Sequence, residues 1–163
     1  VLDRPLAHSD LDLPELQTLD LAEVVRGKAK AAWECLGRPV LVEDTGLELA
    51  GLGGFPGPLV RWLLTSVGAE GICRIATCFE DPRVTARCLV FATDGADEVF
   101  GEGVVEGTIA SHPRGEGGFG WDSVFVPSEG DGRSYGEMAE DEKNLISHRR
   151  KAFVALRDVL AAS

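Results

Sequence analysis

The run Val40-Leu41-Val42-Glu43-Asp44-Thr45 carries strand-forming residues straight into two carboxylates and a hydroxyl. Carboxylates at the end of a buried strand are costly unless they hold a cation or serve chemistry, so a metal or a general base is expected here. Adjacent strand residues point to opposite faces, so Glu43 and Asp44 do not act as one carboxylate pair. One faces a site and the other meets backbone or solvent. With Glu15 brought near by the fold, either completes an oxygen shell around Mg²⁺. The competing reading is a strand-end pair that caps a turn.

Two further segments carry chemistry. Gly117-Gly118-Phe119-Gly120-Trp121-Asp122 combines glycines, which let backbone approach a ligand, with two aromatic faces on which a base can stack. Asp122 can accept hydrogen bonds from a base or orient a water. A tight hairpin with core aromatics is the alternative. In Glu142-Lys143-Asn144-Leu145-Ile146-Ser147-His148-Arg149-Arg150-Lys151, five cationic or potentially cationic residues crowd the nine positions from Lys143 to Lys151 of an acidic chain. Ser147 as N-cap places His148 and Arg149 in a first helical turn beside free N–H groups, a site for an anion or a carbonyl oxygen. Arg150 and Lys151 read as a solvated face. Lys28 and Arg61 are single cations near the proposed carboxylates. His8 and His112 have no visible partner. The glycine spacing matches neither GxGxxG nor a Walker loop, and no GK[ST] occurs.

The elements that must position these residues follow from periodicity and punctuation. Asp20 caps a helix over 21–36, with apolar positions at i, i+3 and i+4 and a stop at Gly37. Residues 39–43 and 47–50 read as two strands separated by a turn at Thr45-Gly46. The Gly51–Pro58 loop opens a helix to about Val67, and a second follows Gly68 to about Thr77. Residues 84–93 and 98–110 form a hairpin turning at 94–97, with bulges or close backbone approach at Gly101, Gly103 and Gly107. A short strand at 123–126 stops at Pro127, and a helix or helix pair spans about 139–161. This interleaving predicts a mixed α/β domain.

Bulk properties narrow the partners. A net charge of −11 argues against a large duplex-binding surface and makes nucleic acid an unlikely partner class. It requires a divalent cation or local Lys and Arg wherever a phosphorylated ligand binds. No apolar run is long enough to span a membrane, and no leader is recognisable. Cys35, Cys73, Cys78 and Cys88 form no CxxC pair and read as free thiols of a reducing cytoplasm.

Five blocks taken in order resemble the inosine triphosphate pyrophosphatase family: Leu13-Pro14-Glu15, Val42-Glu43-Asp44-Thr45-Gly46-Leu47, Leu52-Gly53-Gly54-Phe55-Pro56-Gly57-Pro58, Phe119-Gly120-Trp121-Asp122, and Glu142-Lys143-Asn144 with Ser147-His148-Arg149. The resemblance implies an elongated α/β fold, a central twisted mixed sheet flanked by helices, and two lobes around a nucleotide cleft. It implies a Mg²⁺-dependent homodimer that splits inosine, deoxyinosine and xanthosine triphosphates into monophosphate and pyrophosphate. On the matching positions Asp44 stands for the base and a metal ligand, and Glu15 for the second metal carboxylate. Lys28, Thr45 and Arg61 stand for phosphate or ribose contacts, Arg61 where relatives often carry Lys. Phe119, Gly120, Trp121 and Asp122 stand for the base-binding segment. Lys143, His148 and Arg149 stand for residues that hold the nucleotide and read the purine 6-oxo group. A donor-only Arg149 pairs with an oxo acceptor and is left unpaired by adenine's amino group, a loss of about 1–3 kcal/mol. Guanine must be excluded at its 2-position.

One departure accompanies the match. The family's Thr/Ser-Gly-Asn-x-x-Lys phosphate loop does not precede Leu11, and the chain opens on Val1 rather than Met, so a lost or absent N-terminal strand is expected. Two other readings stay open: a nucleotide-binding or interaction protein derived from this fold, and a related house-cleaning hydrolase for other modified nucleotides.

Overall fold

The computed structural model describes residue 2 and residues 6–162. Residues 6–20 contain neither helix nor strand. The first helix, α1 (Leu21–Leu36), begins where Asp20 Oδ1 accepts hydrogen bonds from the backbone N–H groups of Ala22 (2.8 Å) and Glu23 (3.4 Å). It ends at Gly37. Its buried stripe of Leu21, Val25 and Ala29 packs on Leu89 and Phe91 of the sheet, as the i, i+3, i+4 spacing requires.

The sheet has five strands in the order β2-β1-β3-β4-β5: β1 (Val40–Leu49), β2 (Pro56–Gly57), β3 (Arg83–Thr93), β4 (Glu98–Ile109) and β5 (Phe125–Pro127). Every pairing among the described strands is antiparallel, where the resemblance implies a mixed sheet. Val40–Leu49 form one strand where two are expected, and Ala50 already belongs to the short 3-10 turn Ala50–Leu52. Gly46 is no turn: it pairs with Arg87 of β3, and a Cβ there would lie 3.0 Å from the Gly57 backbone. The glycine admits a neighbouring chain while the ladder runs on.

The helix α2 (Val60–Cys78) is two helices joined at Gly68, whose φ of 69° and ψ of 176° break the spiral. β3 and β4 form the expected hairpin, with Asp94 Oδ1 accepting from the N–H groups of Ala96 and Asp97. Pro127 ends β5 at the sheet edge, where a missing N–H costs nothing. The C-terminal helix pair is α3 (Glu140–Ile146) and α4 (His148–Ala162). Ser147 separates them, and its Oγ accepts from the Arg150 N–H at 3.2 Å.

Helices α1 and α4 cover opposite faces of β3. Leu89 and Phe91 lie under α1, and Cys88 and Val90 lie against Ala152 and Leu156 of α4. The other end of the sheet holds a larger core, built from Leu47, Leu49, Ile72, Val105, Phe125 and Tyr135 among others. The site lies where this core meets the first turn of α4.

Close approach, rather than a bulge, explains two of the β4 glycines. A Cβ on Gly101 would meet Ala152 O at 2.2 Å, and one on Gly103 would meet His148 O at 1.9 Å. Backbone on backbone leaves no flexible atom to yield. Gly103→Ala is therefore expected to push α4 off the sheet at its first turn and destabilise the protein by about 1–3 kcal/mol, read by urea unfolding. Unchanged stability would show that α4 does not rest on Gly103.

Candidate functional site

The pleat of β1 divides the site. Leu41, Leu47 and Leu49 point into the cores on the α4 and α2 side, while Val42 packs under α1. Glu43 and Thr45 therefore face the α4 side and Asp44 faces the α1 side. Each face opens into its own cavity.

On the α1 side a cavity of about 390 Å³ is lined by Leu13, Glu15, Lys28, Asp44 and Arg61, among others. Its charges form a chain. Arg61 Nη2 lies 3.3 Å from Glu15 Oε2, Lys28 Nζ lies 3.4 Å from Glu15 Oε1, and the same Nζ lies 3.2 Å from Asp44 Oδ2. The other Asp44 oxygen accepts the Thr45 backbone N–H at 2.7 Å. Lys28 reaches the site because α1 places it over β1, and Arg61 because α2 starts directly after the Gly-Pro loop. Glu15 and Asp44 thus converge, with an ammonium between them. No group of three or more His, Cys, Asp or Glu that could hold a metal occurs among the described residues. Two hard carboxylates, supplemented by phosphate oxygens, nevertheless suit Mg²⁺.

On the α4 side a cavity of about 700 Å³ is lined by Thr45, Phe119, Trp121, Lys143, His148 and Arg149, with Glu43, Gly120 and Asp122 also on its wall. Arg61 lines both cavities, so the two meet across the start of α2. The 117–122 segment is a tight loop locked by Asp122. Its Oδ2 accepts the Phe119 N–H at 2.8 Å and pairs with the Lys143 ammonium. Gly118 has a φ of +72°, and a Cβ there would fall 2.2 Å from Asp122 Oδ2, so only glycine fits. The two aromatics part ways. Phe119 is 80% exposed at the mouth, while Trp121 is buried in the core and still lines the cavity. Lys143 Nζ sits 5.2 Å from the Phe119 ring centre and 5.4 Å from that of Tyr135, within cation–π range.

His148 is the most constrained of these residues. Its ring is flanked by Trp121 at 5.3 Å and Tyr135 at 6.1 Å between centroids, and it is 6% exposed. Burial first, then the positive charges of Lys143 and Arg149, push its pKa down to about 4, so it is neutral at physiological pH. Its Nδ1 is buried without a hydrogen-bond partner among the described residues. An orphaned polar atom in a cavity wall is expected where a ligand supplies the partner.

All the residues singled out in the sequence therefore reach one of two adjoining cavities: Glu15, Lys28, Asp44 and Arg61 the smaller; Thr45, Arg61, Phe119, Gly120, Trp121, Asp122, Lys143, His148 and Arg149 the larger. Sequence reasoning missed Glu43's part in the larger cavity, where it pairs with Arg149. It also missed Tyr135, the partner ring of His148 and Lys143. A lone buried tyrosine gave no signal.

A sheet sandwiched between two helices, with a polar cavity and an aromatic one side by side, defines an α/β protein built for a small amphipathic ligand with an anionic end. Similar folds are known. The HAM1 protein from Coxiella burnetii superposes with a TM-score of 0.80 at 27% identity, covering 93% of this chain and 82% of that one. The nucleoside-triphosphatase / dITP/XTP pyrophosphatase from Mycobacterium abscessus superposes with a TM-score of 0.69 at 24% identity, covering 98% of this chain and 83% of that one, a likeness of fold. The Ham1 family model matches residues 2–159, and the chain belongs to that family. Inosine triphosphate pyrophosphatase 2 of Trypanosoma cruzi is 47% identical over 90% of this chain and 76% of its own length. Inosine triphosphate pyrophosphatase of Schizosaccharomyces pombe is 42% identical over 95% and 82%.

The depressed His148 pKa makes stability depend on pH. Between about pH 4 and 6.5 the unfolded chain takes up a proton that the folded chain refuses. Stability from this group is full above pH 6.5 and is lost as the pH falls toward 4. Urea unfolding at pH 7 and pH 5 should differ by about 2 kcal/mol on this account, and His148→Gln should remove that difference. A variant that keeps the whole difference would assign the proton elsewhere.

Proposed function

We propose that this chain hydrolyses non-canonical purine nucleoside triphosphates, those of inosine, deoxyinosine and xanthosine, to the monophosphate and pyrophosphate, and so cleans the nucleotide pool. The observation that carries the reading is the pair of adjoining cavities on the two faces of β1. One offers carboxylates and cations for a phosphate chain, the other offers rings and hydrogen-bond donors for a base. Membership of the Ham1 family and the names of the trypanosomal and fission-yeast relatives point the same way.

In this reading the triphosphate lies along Lys28 and Arg61, whose charges offset its own and align the α–β anhydride, while Thr45, on the base side of β1, is a ribose contact. Asp44 takes a proton from the attacking water as the new P–O bond forms. The anhydride P–O bond breaks, and pyrophosphate leaves with the electron pair. Glu15 and Asp44 are the residues that would hold Mg²⁺, which supplies Lewis-acid polarisation of the phosphoryl oxygens when bound. Phe119 and Trp121 enclose the base, Gly120 leaves room beside it, and Asp122 fixes Lys143 and the loop. Lys143, His148 and Arg149 hold the nucleotide, with Arg149 donating to the 6-oxo group. A neutral His148, with Nδ1 unpartnered, offers the base a hydrogen bond without adding to the positive charges of Lys143 and Arg149 in the same wall.

The domain as a whole, two lobes around one nucleotide cleft, acts in this reading as a homodimer in the cytoplasm. Four free cysteines, two of them exposed, agree with a reducing compartment. No helix among the described residues is long and apolar enough to cross a membrane.

Asp44→Asn keeps shape and removes the base. Pyrophosphate release from inosine triphosphate with Mg²⁺ should fall by about 10²–10⁴-fold, with the thermal midpoint nearly unchanged. Chelation of divalent cations should abolish release by the unmodified protein, and Mg²⁺ should restore it. Normal turnover by the variant would remove Asp44 from the base role. Binding of inosine monophosphate with no pyrophosphate release under any divalent metal would instead make this a binding protein.

A further inference from the structure

Glu43 has no part in the assignment above, yet it makes the most ordered contact in the larger cavity. Its Oε2 accepts from Arg149 Nε at 2.8 Å, and its Oε1 lies 2.7 Å from Arg149 Nη2 as an ion pair. One hydrogen bond and one close ionic contact between a planar carboxylate and a planar guanidinium restrict both distance and orientation. The partners lie 106 residues apart and join β1 to the first turn of α4. Stability does not require the pair. The Arg149 side chain is 60% exposed and that of Glu43 33%, and ion pairs so exposed add little to folding.

Both residues line the cavity wall beside Thr45 and His148. A guanidinium has five N–H donors. Glu43 engages Nε and lies against Nη2, leaving the Nη1 donors for a ligand. Beyond this fork, Arg149 touches only the face of Phe153, 5.8 Å from its ring centre, among the described contacts. Without the carboxylate the long side chain samples many rotamers over solvent.

We propose that Glu43 is a positioning residue for base selection. It holds the Arg149 guanidinium in one plane so that its free donors meet a purine 6-oxo acceptor, and this rests on the reading that Arg149 contacts the base. The pair acts in two ways. Holding the arginine beforehand removes its ordering cost from nucleotide binding. It also turns both Glu43 oxygens toward the arginine rather than toward a bound base. The other wall carboxylate that contacts the base segment, Asp122, is already occupied by the Phe119 N–H and Lys143. A 6-amino purine then brings a donor to the Arg149 donors and forgoes the hydrogen bond that a 6-oxo purine makes there.

The test compares dissociation constants for inosine monophosphate and adenosine monophosphate by calorimetry, in the unmodified protein, Glu43→Gln, Glu43→Ala, Arg149→Ala and the Glu43→Ala/Arg149→Ala double variant. Glu43→Gln preserves the shape and covers the case in which the alanine variant folds poorly. Preference for inosine monophosphate should fall about tenfold in either Glu43 variant. With inosine triphosphate as substrate, KM should rise by a similar factor while kcat stays within about twofold. The double variant should discriminate no worse than Arg149→Ala alone, since both remove one device. A merely structural Glu43 would lower the thermal midpoint and weaken both nucleotides equally, leaving the preference intact, and that result overturns the proposal. Loss of preference in Arg149→Ala but not in Glu43→Ala overturns the proposal alone. An unchanged preference in Arg149→Ala overturns the base-reading role of Arg149 and this inference with it.

Discussion

The alternation of one strand is the constraint on which the rest depends. Side chains along β1 alternate between two faces, so Asp44 cannot share a chamber with Glu43 and Thr45. A strand buried on both faces sets this separation more rigidly than any loop. The ten-residue β1 is paired along its whole length with β3, and a slip of one residue would exchange the two sets of side chains. Leucines 41, 47 and 49 on one face make such a slip prohibitive, since they would leave their cores. Hydrophobic packing thereby fixes where a carboxylate and its neighbour point, and two chambers of different character follow.

Helix α4 supplies the second chamber's far wall, and its position is set by what β4 lacks. Gly101 and Gly103 let helix backbone rest on sheet backbone. That contact brings the helix start, His148 and Arg149, level with Glu43 across the cavity. The neutral state of His148 is a consequence. Close packing against Trp121 and Tyr135 withdraws water from the ring, and the nearby Lys143 and Arg149 oppose further positive charge. The missing side chains on β4 therefore govern the protonation state of a group on another element.

Local signals made much of this legible in the sequence. Asp20 and Gly37 mark α1 because capping is decided within a few residues. The helix break at Gly68 and the hairpin at 94–97 are equally local. Gly46 misled because glycine in a strand marks either a turn or a close neighbour, and the neighbour, Gly57, lies on another segment. Beyond the β3–β4 hairpin, the antiparallel pairing of β1 with β2 and β3 and of β4 with β5 has no local signal, since it rests on contacts distant in sequence. Trp121 was open between core and ligand wall, and the fold makes it both. The Glu43–Arg149 pair had no sequence signal: two charges 106 positions apart acquire a relation only when sheet and helix meet.

Charge pairing reconciles a strongly acidic chain with an anionic ligand. At −11 the distant field of the protein repels phosphate. Inside the site four carboxylates each have a cation: Asp44 has Lys28, Glu15 has Lys28 and Arg61, Asp122 has Lys143, and Glu43 has Arg149. An ion pair presents a short-range dipole rather than a net charge, and the repulsion from surface acids is screened beyond about 10 Å in ordinary salt. A ligand inside the cleft then feels oriented donors, not the overall sign of the protein. The arrangement also sets which cations are free to move. Lys28 is shared by two carboxylates and stays where both need it, while Arg61 has a single carboxylate partner and a side chain 67% exposed. Arg61 is therefore less tightly held than Lys28, and it stands at the start of α2 where both cavities open.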